Sequence, residues 1–250
     1  MCSCRPGTTL AAHVAHRRWL KVFGEYLLVA LISIIASTDR VAFAQFMISR
    51  PVVVAPLSAA VFGEPMVGLQ VGLLLELLWL GRLPVGAVIP PDDTQIALGA
   101  TVTALTLDRL CGFQGMPIVL LAVLTAIPLG KCGQIFERMA RAANDRLNLQ
   151  VQSQITVGDL RTVERLHMRG GLHFMLAGLA TALVIVVASS TLLWLIAPLL
   201  LGMVRETGFA LQYSLVLIGA AALLGTTNVN RGTTLFGASF AGTLLAMWLR

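Results

Sequence analysis

The stretch Arg50–Asp93, RPVVVAPLSAAVFGEPMVGLQVGLLLELLWLGRLPVGAVIPPDD, decides the fold. It is apolar over most of its length, yet it carries Glu76, a double proline at Pro90-Pro91 and the paired carboxylates Asp92 and Asp93. An acid near the centre of a membrane helix costs about 2.5–3.5 kcal/mol on insertion scales. A plain membrane anchor has no use for such groups. Their presence points to a polar site built inside a membrane.

Working outward, Val52–Phe62 is too short to cross a bilayer, which takes about 20 apolar residues. Gly63-Glu64-Pro65 turns the chain, and Met66–Leu80 reads as a second, stronger helix. Short segments of this kind survive at membrane depth only where they pack in protein or line a cavity. Gly68, Gly72 and Glu76 follow at four-residue steps and share one helix face. The two glycines form a small-xxx-small pair that lets another helix approach closely, so this face meets protein, not lipid. Glu76 then has two readings: a structural hydrogen bond to a neighbouring backbone, or a ligand or ion site. Gly81–Gly86 breaks the helix, and Asp92-Asp93-Thr94 opens the run Gln95–Leu107. The two aspartates read equally as an N-cap that complements the helix dipole and as part of a site where half-helix ends meet.

The composition fits a membrane setting. Of 250 residues, 57% are hydrophobic and only 12% charged, about half the charge of a typical soluble domain. The mean hydropathy is +0.84. The apolar runs are continuous rather than alternating, so helices are expected and a barrel is not. The fold expected is all-α, a polytopic integral membrane helical bundle with re-entrant or broken helices. A net charge of +6 could serve nucleic acid, but arginines gathered in loops are what the positive-inside rule predicts. Two tyrosines and no interleaving of aromatic with basic residues speak further against nucleic acid. Cys2, Cys4, Cys111 and Cys132 lack metal or disulfide spacing. No metal or cofactor is expected, and no nucleotide-binding, metalloprotease or serine-hydrolase motif occurs.

In chain order, residues 1–24 read as a basic cytoplasmic extension rather than a cleaved leader, because Asp39 and Arg40 separate the first apolar run from the small-residue site at Ala42–Ala44. A first long helix is expected over Glu25–Ile48, ended by Arg50-Pro51. Asp39 and Arg40 point about 100° apart on it and need not pair with each other. Gln45 is placed inside the bilayer or at a cavity edge, where a glutamine is interhelical glue or a ligand group. Residues 25–136 form the membrane region with the polar site. Residues 137–170, with six arginines and four acids, read as a basic, partly helical cytoplasmic connection. Residues 171–250 hold the C-terminal membrane helices, with the polar break Gly225–Gly232 before the last of them.

The central stretch resembles the IIC subunit of mannose-type (mannose/fructose/sorbose) phosphotransferase-system permeases. Arg50-Pro51, Gly63-Glu64-Pro65, Leu75-Glu76-Leu77 with Gly81, and Pro84-Val85-Gly86-Ala87 leading to Pro91-Asp92 carry the resemblance. It covers most of residues 26–250. It implies a sugar-binding and translocating subunit in the bacterial inner membrane, not itself an enzyme. It also implies a IID membrane partner in a trimeric assembly and cytoplasmic IIA and IIB proteins, with IIB donating phosphate to the sugar. By position it implies Glu76 as a sugar ligand with Asp92 nearby, while Gln45 and Asp93 are further candidates. Arg50 is expected to fix a helix end or an acid partner. The chain departs from the mannose pattern in its basic extension, in Gln45 and in the second acid, Asp93. Two other readings fit the internal charge: an ion-coupled secondary transporter using Glu76 and Asp92, and a non-transporting scaffold or regulatory relative. The carrier differs from the permease in needing neither a IID-like protein nor soluble IIA and IIB proteins, and loss of uptake on Glu76→Gln with assembly intact would argue against the scaffold.

Overall fold

The computed structural model describes residues 7–43, 45–79, 89–206, 213, 217, 219, 220 and 232–248. Among these residues the chain is all-α and forms eight helices: α1 Gly7–Val41, α2 Pro51–Val61, α3 Pro65–Trp79, α4 Asp93–Cys111, α5 Met116–Leu129, α6 Lys131–Val157, α7 Leu160–Glu206 and α8 Gly232–Trp248. Three helical stretches are long and apolar enough to cross a membrane: Trp19–Val41, Met116–Gln152 and Leu160–Met203. The helices α2 and α3 are shorter and apolar. The chain is a multi-pass membrane bundle.

α4 is the central post. Every residue from Thr94 to Leu105 is buried, and α7, α5, α2 and α3 all pack on it. Its sequence suits that place, since glycine, alanine and threonine leave room for neighbouring helices to approach. A Cβ on Gly99 would lie 2.4 Å from the Ile185 side chain of α7. Thr101 returns its hydroxyl to the Ala97 carbonyl at 2.8 Å, so that polar group is satisfied within the helix. Gln95, fully buried, accepts from Ser33 Oγ at 2.9 Å and donates to Ser37 Oγ at 2.7 Å and the Ser33 carbonyl at 3.2 Å, joining α4 to α1.

α2 and α3 form a hairpin turned by Gly63 at φ +86, a left-handed value that suits glycine. The glycine face expected on α3 is the seam. A Cβ on Gly68 would lie 2.3 Å from the Ala55 carbonyl oxygen, and one on Gly72 2.6 Å from that of Pro51. The far end of the hairpin is pinned by Arg109 of α4. Arg109 pairs with Glu25 of α1, donates to the Phe62 carbonyl at 3.0 Å and lies 4.7 Å from the Phe62 ring centroid.

Several boundaries differ from the expectation. The first helix starts at Gly7 and stops at Val41 instead of running over Glu25–Ile48. The stop is made by Asp39, whose carboxylate accepts the Phe46 amide at 2.6 Å and the Ser49 amide at 3.0 Å. Those bonds hold residues 45–50 in a tight loop, with Gln45 at φ 52 and Met47 at φ 65. Arg50-Pro51 accordingly begins α2, with Arg50 as the extended N-cap, and does not end α1. The polar segment 137–170 is helical except for a turn at Gly158-Asp159. It is the tip of a long antiparallel hairpin of α6 and α7. The break expected at Gly81–Gly86, most of the helix expected at Gly208–Leu224, and residues 225–231 lie outside the described residues.

Candidate functional site

Two helix N-termini and two helix C-termini meet around the loop of residues 45–50. α1 ends there and α2 starts there. α3 brings Glu76 to it, and α4 begins beside it at Asp92-Asp93. Four carboxylates (Asp39, Glu76, Asp92, Asp93) and two guanidiniums (Arg40, Arg50) sit in this layer, where the positive ends of α2 and α4 also favour negative charge.

Asp92 is the N-cap of α4. Its Oδ1 accepts the Gln95 amide at 3.1 Å and the Arg40 guanidinium at 2.6 Å. Arg40 also reaches Asp93 Oδ1 at 3.4 Å and the Pro91 carbonyl at 3.4 Å. One cation from the last turn of α1 thus serves both aspartates at the start of α4. Their side chains are only 13% and 32% exposed, so the pairing offsets a substantial desolvation cost. Asp92 Oδ2 and Asp93 Oδ2 have no hydrogen-bond partner among the described residues. The cap reading and the shared-site reading of Asp92 are therefore compatible in one geometry.

Glu76 is held on the other side of the loop. Its Oε1 accepts from Arg50 Nη1 at 3.2 Å, and its Oε2 from the Val52 amide at 3.4 Å. Val52 lies in the first turn of α2, whose amides have no partner within the helix. The glycines at positions 68 and 72 bring α3 close enough for this contact. Glu76 is 17% exposed. Ser49 links the two groups. Its amide is bound by Asp39, and its carbonyl accepts the Thr94 hydroxyl of α4 at 2.7 Å.

Of the four residues singled out in the sequence, Asp92 and Asp93 are brought together on Arg40, and Glu76 stands on Arg50 across the loop. Gln45 is exposed in that loop rather than within a helix, with its amide donating to the Phe43 carbonyl at 2.7 Å. Three contributors escaped the sequence reading. Arg40 is the counter-charge for both aspartates, Asp39 builds the loop, and Gln95 anchors the start of α4 to α1. The Ser33/Ser37 spacing on α1 was the available signal for Gln95, because two serines one turn apart make a polar notch in an apolar helix. The partner of Arg40 lies 52 positions away in sequence, and nothing local announces it.

Such a layer offers several carboxylate oxygens and amide groups around one loop. Carboxylates accept hydrogen bonds at up to about four lone-pair sites, and bonds to ionised acceptors are about twice as strong as neutral ones. That chemistry suits a ligand rich in hydroxyl donors.

Comparison with known proteins places the chain in a family. The family model described as the sorbose-specific IIC component of the phosphotransferase system (PTS) matches residues 23–247. The mannose-specific EIIC components of Escherichia coli strain K12 and of Shigella flexneri are each 26% identical to the chain over 147 residues. The matched part is 54% of this chain and 52% of each relative, so it spans about half the length of those proteins. Among solved structures, one described as a membrane protein is similar with a TM-score of 0.65 at 19% identity, over 90% of both chains. A cryo-electron microscopy structure of the mannose transporter ManYZ in complex with microcin E492 is similar with a TM-score of 0.55 at 18% identity, over 88% of this chain and 86% of that one. At these identities the structures speak for the fold alone.

Proposed function

The chain belongs to the family of sorbose-type IIC components of the phosphotransferase system, and on that premise we propose that it binds a sugar and moves it across the bacterial inner membrane. The observation that carries the reading is the layer around residues 45–50, where two helix N-termini, four carboxylates and two arginines converge in a membrane bundle. Glu76 and Asp92 are the proposed sugar acceptors, and Asp93 and Gln45 complete the set. Asp92 Oδ2 and Asp93 Oδ2, without a partner among the described residues, are the oxygens offered to sugar hydroxyls, while Arg40 holds Oδ1 of each. Glu76 reaches a sugar by exchanging its long bond to the Val52 amide, at 3.4 Å, for a shorter one to a hydroxyl. Arg40 and Arg50 act as positioning residues.

In this reading the chain works with a IID membrane subunit in a trimeric assembly. It performs no phosphoryl transfer itself; the cytoplasmic IIA and IIB proteins relay phosphate, and IIB delivers it to the sugar. Support comes from the family match and from the likeness in fold to the solved mannose transporter ManYZ. The test is co-purification of the tagged full chain from its native membrane, with partners identified by mass spectrometry. A stoichiometric IID-like protein is the expected result. A chain that purifies alone, folded and in full yield, overturns the assembly and favours an ion-coupled carrier.

A further inference from the structure

A crevice of about 470 Å³ opens between the end of α1 and the α6–α7 hairpin. That volume falls in the range of small-molecule sites, roughly 300–1,000 Å³. Its walls are mixed. Phe43 and Phe174 give aromatic faces, His167 stands edge-on to Phe43 at 5.6 Å, and Asn148 and Asp145 give an amide and a carboxylate. The hairpin wall is preformed: Asn144 Oδ1 lies 2.6 Å from His173 Nδ1, and its amide donates to the Gly170 carbonyl at 3.2 Å. Gly171 lets the Phe43 ring lie against α7, since a Cβ there would stand 2.8 Å from the ring. Asn148, Asp145 and His167 are exposed.

The crevice leads toward the polar layer. A narrower cleft of about 20 Å³, sized for a water, touches Arg40 and Asp92, and Val41 and Phe174 line both spaces. These two side chains form a neck between the carboxylate layer and the larger crevice. The crevice lies on the side of the basic hairpin, which the positive-inside rule places in the cytoplasm. A pyranose has C–H faces that pack on aromatic rings and a rim of hydroxyls that bond to amides and carboxylates.

We propose that this crevice is a second sugar subsite, on the hairpin side of the Val41–Phe174 neck, which holds a monosaccharide after it leaves the Arg40–Asp92 layer. The proposal rests on the reading of the chain as a sugar-translocating subunit. Asn148 and Asp145 bond to the hydroxyls, and Phe43 and Phe174 cover the apolar faces. Asn144 is a positioning residue, because its amide is already engaged.

The test uses the full chain co-expressed with its IID partner, with Cys2, Cys4, Cys111 and Cys132 changed to serine and a single Asn148→Cys substitution. Maleimide labelling is timed with and without mannose, fructose or sorbose, beside an Asp159→Cys control at the hairpin tip. In parallel, the KM and Vmax of uptake are measured for Asn148→Ala. One of the sugars is expected to slow labelling at position 148 at least fivefold and leave position 159 unchanged. Asn148→Ala is expected to raise KM five- to tenfold with assembly and Vmax preserved. Protection without a change in KM would report movement of the hairpin rather than contact, and overturns the proposal. So does the absence of protection in a complex that still takes up sugar and loses uptake on Glu76→Gln. If the intact complex takes up none of the sugars, it is the translocation reading that falls, and the subsite with it.

Discussion

Changing Gly72 to alanine should separate the α2–α3 seam at the point where Glu76 is held. The added Cβ would lie 2.6 Å from the Pro51 carbonyl oxygen and 2.9 Å from Val52 Cα, both backbone atoms at the start of α2. Neither can rotate away as a flexible side chain does, so α2 must retreat. Overpacking of this kind costs about 1–3 kcal/mol, and contacts with rigid backbone belong at the upper end. Alanine returns about 1 kcal/mol of helix propensity, leaving a net loss of about 2 kcal/mol. The retreat also lengthens the Val52–Glu76 hydrogen bond, already 3.4 Å, beyond bonding range. Gly24 in α1 supplies the control, because a Cβ there meets nothing within 4 Å. Gly24→Ala should therefore be neutral or stabilising by up to about 1 kcal/mol. Thermal unfolding of both variants in detergent, beside sugar uptake in cells, measures the contrast. Equal stability changes in the two variants, or a Gly72→Ala protein as stable and active as the parent, would refute the reasoning.

Arg40→Gln leaves Asp92 and Asp93 without their shared cation and should cost about 3–5 kcal/mol, as expected when one partner of a buried pair is removed. Adding Asp92→Asn should recover part of that loss, and a double-mutant cycle on unfolding free energies measures the coupling. Gln95→Leu removes three buried hydrogen bonds to Ser33 and Ser37 and should destabilise by about 1–3 kcal/mol in the same assay. At the hairpin tip, the Thr162 hydroxyl and amide hold the Asp159 carboxyl below the usual carboxylate range. Its contribution to the start of α7 is thus complete above the unfolded-state value and lost as pH falls through the lower, folded one. Asp159→Asn should cap the helix nearly as well at neutral pH but flatten the acid-induced loss of amide protection at the tip, read by hydrogen exchange.

Much of this architecture was legible because it is local. The Gly63-Glu64-Pro65 turn and the four-residue spacing of Gly68, Gly72 and Glu76 give α3, the turn before it and its contact face directly, whereas Arg50-Pro51 marks a boundary that the structure makes the start of α2 rather than the end of α1. Glu76 meeting backbone and Arg50 meeting an acid also follow from the same short stretch. The end of α1 was misread because the apolar character resumes after Arg40. The deciding interaction is a side chain, Asp39, reaching forward to the amides of Phe46 and Ser49, and hydropathy carries no trace of it. The continuity of α6 and α7 through the polar segment was underestimated for the same reason. Gly158 at φ +80 stops α6, and Asp159 restarts the chain as α7, so one turn separates two long helices. The Arg40–Asp92 pair is a product of helix packing across α1 and α4, and no local pattern encodes it.

The most direct test of the central claim is uptake of labelled mannose, fructose and sorbose by cells that carry this chain and the IID-like subunit proposed for it, compared across the parent, Glu76→Gln and Glu76→Asp. Saturable uptake of one sugar is expected in the parent, lost with Glu76→Gln and partly retained with Glu76→Asp, while the complex purifies intact in all three. Uptake that is unchanged by Glu76→Gln in an intact complex would contradict the account.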